Sequence, residues 1–434
     1  MEGETEPVLQ LNLDTVPVEV LLQIFKYVDA TDLLRRVALV SKYFHNILSN
    51  SMTWKIKQEK RWGGAGDRKY PPLDLFPDDD ENDGEPPSST PSYYGINFGR
   101  CSFPWSRACV KREEQIRLWS ESSVNPRMVH KSMNSHIGCI DSVYLYMKND
   151  KMLLACGSRD RNISIWSVDG LLSNEDPYTS KLKSLTAAHE GWVWDFCVQD
   201  DLYSCSWDTS VKAWDLETYV VKGCYKTTAA LLSISSSNNL LAIGAFNRKV
   251  TLLDPREDLK TSKPVHVYSP HTRSVLSVGL DCNYVISCGE DGVCVKHDIR
   301  TRSTVNSFKL ERGDKPVYPT CMSFRETTIN LPYFYIGDNV GGIHLVDLLK
   351  FEIVRSYKLH NAPVRGVFHN MGSVVSCSKD GKLQIRDPTL SLNEISTVDV
   401  GDNLDLPSVH SLNNALVCGD GNGIVRVWGE RPYD

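Results

Sequence analysis

A short phrase recurs seven times along the C-terminal two thirds of this 434-residue chain. Its fullest copy, SCSWDTSVKAWD, ends at Asp215, and weaker copies such as AIGAFNRKVTLLD, ending at Asp254, stand between the stronger ones. The position of the final Trp is occupied, in successive copies, by Trp166, Trp214, Leu253, His297, Val346, Arg386 and Trp428. A spacing of 39 to 49 residues between copies predicts an array of similar structural units and not a conventional enzyme core.

Each copy alternates short apolar runs with Gly, Asp and Asn, and in the first copy these runs are DSVYLY, LLACGS and NISIW. Such alternation is typical of strands joined by tight turns. In period and wording the copies resemble WD40 repeats, which form propeller blades of about 40 to 45 residues. The resemblance covers roughly residues 127–434. It implies an all-β, seven-bladed WD40 β-propeller, which we assign to residues 126–434.

The WD40 resemblance also implies that a hydrogen-bonded His, Ser, Asp and Trp hold each blade together. The second copy has all four of these residues, and they are His189, Ser204, Asp208 and Trp214. The first copy has Cys156 in the Ser position, the fourth and sixth lack the Trp, and the third, fifth and seventh lack the His. We therefore expect those last three copies to depend more on packing. Because a buried polar chain stabilises a fold only when every member is paired, we interpret these residues as structural and not catalytic.

The 13 cysteines raise the question of metal or disulfide chemistry. Five of them occupy nearly the same place in successive copies, and they are Cys156, Cys205, Cys288, Cys377 and Cys418. Residues in equivalent places belong to different blades, so we expect these thiols to be buried and too far apart to bind one metal ion. The sequence shows neither a CxxC pair nor a signal-peptide pattern, which favours reduced thiols and a cytoplasmic or nuclear location.

Charge and motif content argue against several classes of function. The net charge is -6 with both signs interspersed, so the composition does not indicate a nucleic-acid partner. Apolar runs stay well short of the roughly 18 residues that span a bilayer, which argues against a membrane partner. The motifs HExxH, GxSxG and the P-loop are absent from the sequence. We therefore expect a protein that is not an enzyme and that holds no cofactor and no metal.

The N-terminal residues 13–60 carry a different pattern, which predicts three short helices. Apolar residues follow Pro17 at helical spacing, and two further apolar groups lead to Trp54 at the end of the third helix. So short a segment cannot bury this many large side chains by itself. A partner or a neighbouring domain must therefore cover part of its surface.

This segment resembles an F-box in its VP-x-E start, its IFKYVD, DLL and VSK phrases and its final Trp, although Val16 stands where Leu is usual. The resemblance implies that the segment docks on a Skp-type adaptor, which in turn joins a cullin and a RING subunit. The adaptor-facing residues would be Val16, Pro17, Val20, Leu21, Ile24, Phe25, Leu33, Leu34 and Val37. The alternative is an ordinary helical cap that packs on the propeller.

Between the two modules, residues 61–100 are rich in Pro and acidic residues and predict a largely disordered linker, as residues 1–12 predict a disordered N-terminus. Residues 101–125 predict a helix that fixes one module relative to the other. A competing interpretation makes QIRLW in this stretch a strand of an eighth blade. Because the seventh copy ends directly after Trp428, we expect a strand near residues 126–133 to complete the last blade and close the ring.

The two modules together resemble the F-box/WD-repeat proteins, and phrases such as HEGWVWD and SWDTSVKAWD resemble the F-box and WD-repeat protein nine subfamily. The resemblance implies a substrate-recognition subunit of a Skp/cullin/F-box type E3 ubiquitin ligase, which performs no chemistry itself. The alternative is a WD40 scaffold or peptide-binding protein that acts outside a ligase complex.

The protein to be ubiquitylated is expected on the top face of the propeller, where the turn of each repeat and the start of each inner strand meet. Trp and Arg, the residues most enriched in binding hot spots, are frequent at these positions. The predicted substrate-binding residues are Arg159, Trp192, Trp194, Trp207, Phe246, Glu290, Arg365 and Lys379. The copies lack the paired arginines of a phosphate-recognising propeller, so the sequence does not favour recognition of phosphate.

Overall fold

The computed structural model describes residues 16–63, 65–72, 103–120, 128–173, 176–311, 316–324, 331–402 and 404–431. In these ranges a helical N-terminal domain precedes a ring of seven four-stranded sheets, which confirms the predicted fold class. The segment 1–12 and the acidic part of the linker, both predicted to be disordered, lie outside the described residues. Within the described ranges, none of the helices has the length and apolar character needed to cross a membrane.

The N-terminal domain contains four α-helices and a 3-10 turn, and not the three helices predicted. They are α1 (Val18–Phe25), α2 (Ala30–Arg35), the 3-10 turn Val37–Leu39, α3 (Lys42–Ser49) and α4 (Ser51–Trp62). Trp54, expected on the third helix, lies on α4 because the helix is interrupted at Asn50. The Asn50 backbone is extended (φ -80°, ψ 126°), and its side chain accepts a hydrogen bond from the Met52 amide at 2.9 Å. Asn50 therefore caps a new helix.

The first part of the predicted linker is structured. Helix α4 runs to Trp62, and a 3-10 turn follows at Gly66–Arg68. The Tyr70 hydroxyl donates a hydrogen bond to the Met371 carbonyl at 2.8 Å, and the Tyr70 ring lies 5.8 Å from that of Phe103. The two ends of the undescribed stretch 73–102 are therefore held together at one place on the propeller.

The helix predicted within residues 101–125 is α5 (Trp105–Ser120). The phrase QIRLW lies inside this helix, so its interpretation as a strand of an eighth blade is wrong. The missing Gly or Asp turn before QIRLW was the sequence signal against that interpretation. After α5 comes the first strand, β1 (Met128–Asn134).

The first three blades are antiparallel sheets whose strands follow one another in chain order from the centre outward. Blade 1 consists of β2 (Ile140–Lys148), β3 (Lys151–Ser158), β4 (Ile163–Ser167) and β5 (Lys181–Leu185), with α6 (Val168–Leu172) and α7 (Pro177–Ser180) between β4 and β5. Blade 2 consists of β6 (Val193–Val198), β7 (Leu202–Ser206), β8 (Ser210–Trp214) and β9 (Val221–Lys226). Blade 3 consists of β10 (Leu231–Ser237), β11 (Leu240–Ala245), β12 (Val250–Leu253) and β13 (His266–Tyr268).

The remaining blades repeat this arrangement. Blade 4 consists of β14 (Val275–Leu280), β15 (Tyr284–Gly289), β16 (Val293–Asp298) and β17 (Ser303–Lys309). Blade 5 consists of β18 (Pro319–Met322), β19 (Tyr333–Asp338), β20 (Gly342–Asp347) and β21 (Glu352–Lys358). Blade 6 consists of β22 (Val364–His369), β23 (Val374–Ser378), β24 (Lys382–Arg386) and β25 (Glu394–Asp399). Blade 7 takes β26 (Ser408–Leu412), β27 (Ala415–Gly419) and β28 (Ile424–Glu430) from the C-terminus.

Strand β1 supplies the outer strand of blade 7, as predicted. It pairs antiparallel with β28, with Val129 opposite Gly429 and Met133 opposite Val425. Both ends of the ring are thereby joined in one sheet, so the propeller has no open first or last blade.

Neighbouring blades approach closely where the second strand of a blade has Gly near its end. A Cβ atom on Gly157 of blade 1 would lie 2.6 Å from Val193 Cγ1 of blade 2, and one on Gly419 of blade 7 would lie 2.6 Å from Ile140 Cγ2 of blade 1. Blades 3 and 5 have Gly244 and Gly337 in the same place. In these blades a larger residue would push the next blade away.

The five aligned cysteines are all buried, as predicted. They occupy two different positions along the second strand of the blade. In blades 2, 4 and 6 the Cys stands where the other blades have the Gly described above, and these residues are Cys205, Cys288 and Cys377. Cys156 and Cys418 stand one residue before that Gly. Burial, and the Cys418 thiol across the boundary of blades 6 and 7, raise the pKa of Cys377, so these two of the five thiols lie close together. Within the described ranges, no group of three or more His, Cys, Asp or Glu could hold a metal ion.

Candidate functional site: two surfaces joined by a buried helix

The nine predicted adaptor-facing residues divide between the surface and the core of the N-terminal domain. Pro17, Val20, Ile24 and Leu34 are exposed, and Val16 and Val37 are half-buried. Leu21, Phe25 and Leu33 are 2%, 4% and 0% exposed, and they pack in the domain core with Phe44, Leu48, Trp54 and Cys109. The prediction is therefore wrong for these three side chains, which no partner can reach while the domain is folded.

The sequence analysis missed four other apolar side chains on the same domain. Tyr27, Leu39 and Val40 are 79%, 78% and 69% exposed, and Val18 is 38% exposed. The signal was available for Tyr27, because Val20, Ile24 and Tyr27 follow one another at intervals of four and three residues on one face of a helix. These residues extend the surface that the exposed predicted residues begin.

The second copy forms the expected network. The network lies at one end of blade 2, and we call this end of the propeller the top. His189 Nδ1 lies 2.9 Å from Asp208 Oδ2, and His189 Nε2 lies 2.7 Å from Ser204 Oγ. Trp214 Nε1 donates to the same Ser204 oxygen at 2.8 Å. Burial lowers the pKa of His189. Burial of Asp208 acts to raise its pKa, but hydrogen bonds, above all from His189, hold this pKa below its usual range. The residues form a buried network that fixes the turn.

The first copy builds the same network with a Ser from another strand. Ser164 of β4, opposite Cys156 of β3, lies 2.9 Å from His136 Nε2 and accepts a hydrogen bond from Trp166 Nε1 at 3.0 Å. His136 Nδ1 lies 3.0 Å from Asp160 Oδ2. The missing Ser of this copy is therefore replaced across the strand pair.

Blades 4 and 6 keep the His, Ser and Asp part of the network, with His271, Ser287 and Asp291 in one and His360, Ser376 and Asp380 in the other. In blade 5, His344 Nε2 contacts the buried Asp338 carboxylate at 3.0 Å. In blade 7, Arg426 Nη1 contacts the buried Asp420 carboxylate at 2.5 Å. Blades 5 and 7 lack the network His and were expected to depend more on packing, and each has in addition one buried polar contact to an Asp.

Four of the eight predicted substrate-binding residues form one aromatic surface on the top of blades 2 and 3, which we call the aromatic patch. It consists of Trp192, Trp194, Trp207 and Phe246. The ring of Trp207 lies 5.6 Å from each of the other two Trp rings and 5.7 Å from the Phe246 ring. Trp192, Trp207 and Phe246 are 39%, 39% and 54% exposed. A group of large aromatic side chains open to solvent marks a candidate binding surface.

Arg159 of blade 1 adjoins the aromatic patch. Its guanidinium lies 4.8 Å from the ring centre of Trp192 and 5.8 Å from that of Trp194. It also donates two hydrogen bonds to Asp141, at 2.8 and 3.0 Å. Hydrogen bonding to Asp141 raises the pKa of Arg159, so this cation is held in place and charged.

The other predicted residues meet at the centre of the ring. A cavity of about 560 Å³ at the top of the central channel is lined by Arg159, Trp194, Glu290, Arg365 and Lys379, and by other residues from the inner strands. Sequence analysis missed the acidic lining residues Asp141, Asp195 and Asp405. The Arg365 and Asp405 side chains approach to 3.5 Å. The structure thus brings all eight predicted residues to one face, as a patch and an adjoining channel mouth with both signs of charge.

Helix α5 connects the helical domain to the propeller through buried charges. Towards the propeller, the Arg112 guanidinium binds both carboxylate oxygens of Asp387 on blade 6. Towards the helical domain, Glu113 contacts Lys57 Nζ at 2.9 Å and Arg61 Nη1 at 2.7 Å, and it accepts a hydrogen bond from the Ala30 amide at 2.6 Å. Two adjacent residues of α5, Arg112 and Glu113, therefore attach the propeller and the helical domain to the same helix. This is what we expect of a helix that fixes one module relative to the other.

Comparison with known families agrees with this division. A family model described as F-box-like matches residues 13–56. A family model of the WD domain, G-beta repeat, matches residues 128–167, 180–215, 262–298 and 351–387. These four matches include the blades that keep the His, Ser and Asp network, namely blades 1, 2, 4 and 6. Blades 3, 5 and 7 become evident from the strand geometry.

Two of the similar proteins carry both modules in their names. F-box/WD repeat-containing protein 9 from Homo sapiens is 28% identical over 423 residues, which cover 95% of this chain and 82% of that protein. F-box/WD repeat-containing protein mec-15 from Caenorhabditis elegans is 23% identical and covers 80% of this chain and 78% of its own. Ribosome biogenesis protein ytm1 from Emericella nidulans is 29% identical, but the match covers 46% of this chain and 48% of that protein.

Among solved structures, the computationally designed protein Ika8 superposes with a TM-score of 0.51 at 18% identity. The superposition covers 69% of this chain and 98% of the designed one. At this level of identity the likeness concerns the fold alone.

Proposed function

Because this chain is an F-box/WD-repeat protein, we propose that it is the substrate-recognition subunit of a Skp/cullin/F-box type ubiquitin ligase. In this role the F-box-like domain docks on a Skp-type adaptor, which brings the cullin and the RING subunit. The top face of the propeller binds the protein to be ubiquitylated. The chain itself performs no catalytic step and acts in the cytoplasm or the nucleus.

The observation that carries this proposal is the exposed apolar surface of the F-box-like domain. Val20 and Ile24 on α1, and Tyr27 in the turn after it, form a stripe and are 47%, 48% and 79% exposed. The opposite side of α1, with Leu21 and Phe25, already fills the domain core. Covering a large apolar side chain contributes about 1.5 to 3 kcal/mol. A partner helix or groove that covered this stripe would therefore gain substantial binding energy.

The buried contacts of α5 suit a receptor that works by positioning. A substrate held on the propeller is tethered to whatever binds the F-box-like domain, so their encounter becomes intramolecular. Such tethering gives effective concentrations on the order of millimolar. Fixing the two domains through Arg112 and Glu113 limits the directions in which the substrate can point, which favours productive geometry.

The proposal is tested by capture of a purified Skp-type adaptor and cullin on the full-length chain. We expect the double variant Val20→Asp, Ile24→Asp to reduce adaptor capture at least about tenfold, because it places charge in an apolar interface. Both changed residues are exposed, so circular dichroism and thermal unfolding should stay close to those of the unchanged protein.

The matched control is Val220→Asp, which changes an equally apolar and exposed residue (63%) in the connection before β9. It should leave capture unchanged. If the folded, unchanged chain captures neither adaptor nor cullin, the ligase role is wrong, and the WD40 scaffold outside a ligase becomes the better description.

A further inference from the structure

We propose that the aromatic patch binds a segment of the substrate protein that is rich in Asp and Glu and carries one large apolar side chain. The inference rests on the proposed function, because it specifies the chemistry of the substrate that the receptor recognises. The apolar side chain would pack on the outward faces of Trp207 and Phe246. The carboxylates would lie over the cations beside them.

The aromatic patch supplies a continuous apolar surface across two blades. Trp207 lies in the turn between β7 and β8, and Phe246 lies in the corresponding turn of blade 3. The rings are 5.7 Å apart with an interplanar angle of 60°, so they form a shallow angled surface. Since 39% of Trp207 and 54% of Phe246 remain open, one apolar side chain of a partner can be covered there.

Cations border this surface. Arg248 and Lys249 share the turn with Phe246, and Lys226 ends β9 opposite Ser210, close to the turn that holds Trp207. All three are exposed, and in the part of the chain that the structure describes none of them forms an ion pair. An exposed acidic residue, Glu190, lies in the loop before Trp192, and its amide donates a hydrogen bond to Asp208 beside Trp207. The local excess of positive charge favours an acidic partner and steers its approach.

A basic partner is disfavoured by Arg159. The favourable place for a cation is over an indole ring, and the Arg159 guanidinium already lies 4.8 Å from the centre of Trp192. Because Asp141 holds this guanidinium with two hydrogen bonds, a Lys or Arg of a partner would have to displace a fixed and neutralised pair. The most open ring of the patch is Phe246, at 54%, in the turn that also holds Arg248 and Lys249.

The chain also contains an acidic segment of its own, at residues 77–85. The described residues before and after it reach blade 6, where Tyr70 contacts both Met371 and Phe103. Met371 lies in the turn after β22, at the end of the propeller opposite the top. The segment would have to run around the ring from blade 6 to blades 2 and 3 and return to the same point. We therefore assign the patch to a partner and not to this segment.

The test uses full-length protein and a fluorescein-labelled peptide of Asp, Glu and Gly around one central Trp, with fluorescence anisotropy as the readout. Two control peptides replace the acidic residues by Lys or the central Trp by Gly. We expect saturable binding of the acidic Trp peptide alone. We expect Trp207→Ala, Phe246→Ala to weaken it at least about tenfold, and added salt to weaken it as well.

The charge contribution has its own matched pair of variants. Arg248→Glu, Lys249→Glu should weaken binding about tenfold, since two favourable contacts become repulsive. Lys260→Glu, Lys263→Glu makes the same change at exposed lysines of the same blade, in the connection between β12 and β13 at its other end. This second variant should bind the peptide as the unchanged protein does.

Equal binding of the Lys peptide, or full binding by the Trp207→Ala, Phe246→Ala variant, would overturn the inference. Peptide binding that appears only after deletion of residues 77–85 would show that the chain's own segment occupies the patch, and it would also overturn the assignment to a partner. Loss of adaptor capture with the peptide still bound would count against the proposed ligase role alone. Intact adaptor capture with no peptide bound would count against this inference alone.

Discussion

At the scale of single residues, Ser164 shows how a repeat tolerates a missing network member. Its hydroxyl contacts His136 Nε2 at 2.9 Å and accepts from Trp166 Nε1 at 3.0 Å. We expect Ser164→Ala to lower the free energy of unfolding by about 1 to 3 kcal/mol, because it leaves the buried His136 nitrogen without this partner. Guanidinium chloride denaturation followed by Trp fluorescence measures the change.

A second change at Cys156 makes this prediction specific. Cys156 stands directly opposite Ser164 and aligns with Ser204 of the complete network in blade 2. Combining Cys156→Ser with Ser164→Ala should therefore recover most of the lost stability. If Ser164→Ala costs nothing, or if the added Ser restores nothing, the network does not stabilise blade 1 in this way.

These residues also show what the sequence can predict. The spacing of one copy was enough to identify the His189 network, because all its members lie within a single repeat. Ser164 was missed because its role depends on its place opposite Cys156 in the neighbouring strand. His344 and Arg426 were missed because each reaches its Asp partner from a position that differs from that of the network His. In α1 the same limit applies. Spacing indicates apolar residues on both sides of the helix, and only the packing of the other helices decides that Leu21 is buried and Val20 is not.

At the scale of elements, α5 joins the two domains through ion pairs that are out of water. Glu113 is 4% exposed at its side chain and Lys57 1%, and they are 2.9 Å apart. Removing one partner of a buried pair leaves an uncompensated charge, which typically costs about 3 to 5 kcal/mol. We expect Glu113→Ala to destabilise the helical domain by this order, measured by denaturation and by faster amide hydrogen exchange in α4.

The neighbouring Glu114 provides the control. It pairs with Lys111 at 2.9 Å, but the side chains are 21% and 29% exposed. Glu114→Ala should therefore cost at most about 1 kcal/mol. Similar losses for the two variants would mean that burial of the Glu113 pair is not what couples the domains.

The existence of α5 followed from its apolar spacing, whereas the Arg112 contact with Asp387 joins residues 275 positions apart and left no local signal.

At the scale of the whole molecule, the ring distributes buried histidines among its blades. His297 occupies the Trp position of blade 4, stacks on Tyr268 at 4.3 Å and contacts Thr304 Oγ1 at 3.2 Å. His369 ends β22 and lies between the Tyr333 and Tyr335 rings. These imidazoles are 3% and 2% exposed. The ring is therefore built around His side chains that must stay neutral.

This burial predicts how the stability of the whole ring depends on pH. Burial lowers the pKa of His297 and of His369 to about 4, from an ordinary value of 6.5. Between these two values the unfolded chain binds more protons than the folded one, so stability is greatest above pH 6.5 and falls as the pH drops towards about 4. Each His contributes roughly 3 kcal/mol to this fall.

Denaturation midpoints measured from about pH 7 to about pH 5 should decrease, and the double variant His297→Gln, His369→Gln should show a weaker decrease. Equal slopes for the two proteins would show that other groups control the acid sensitivity.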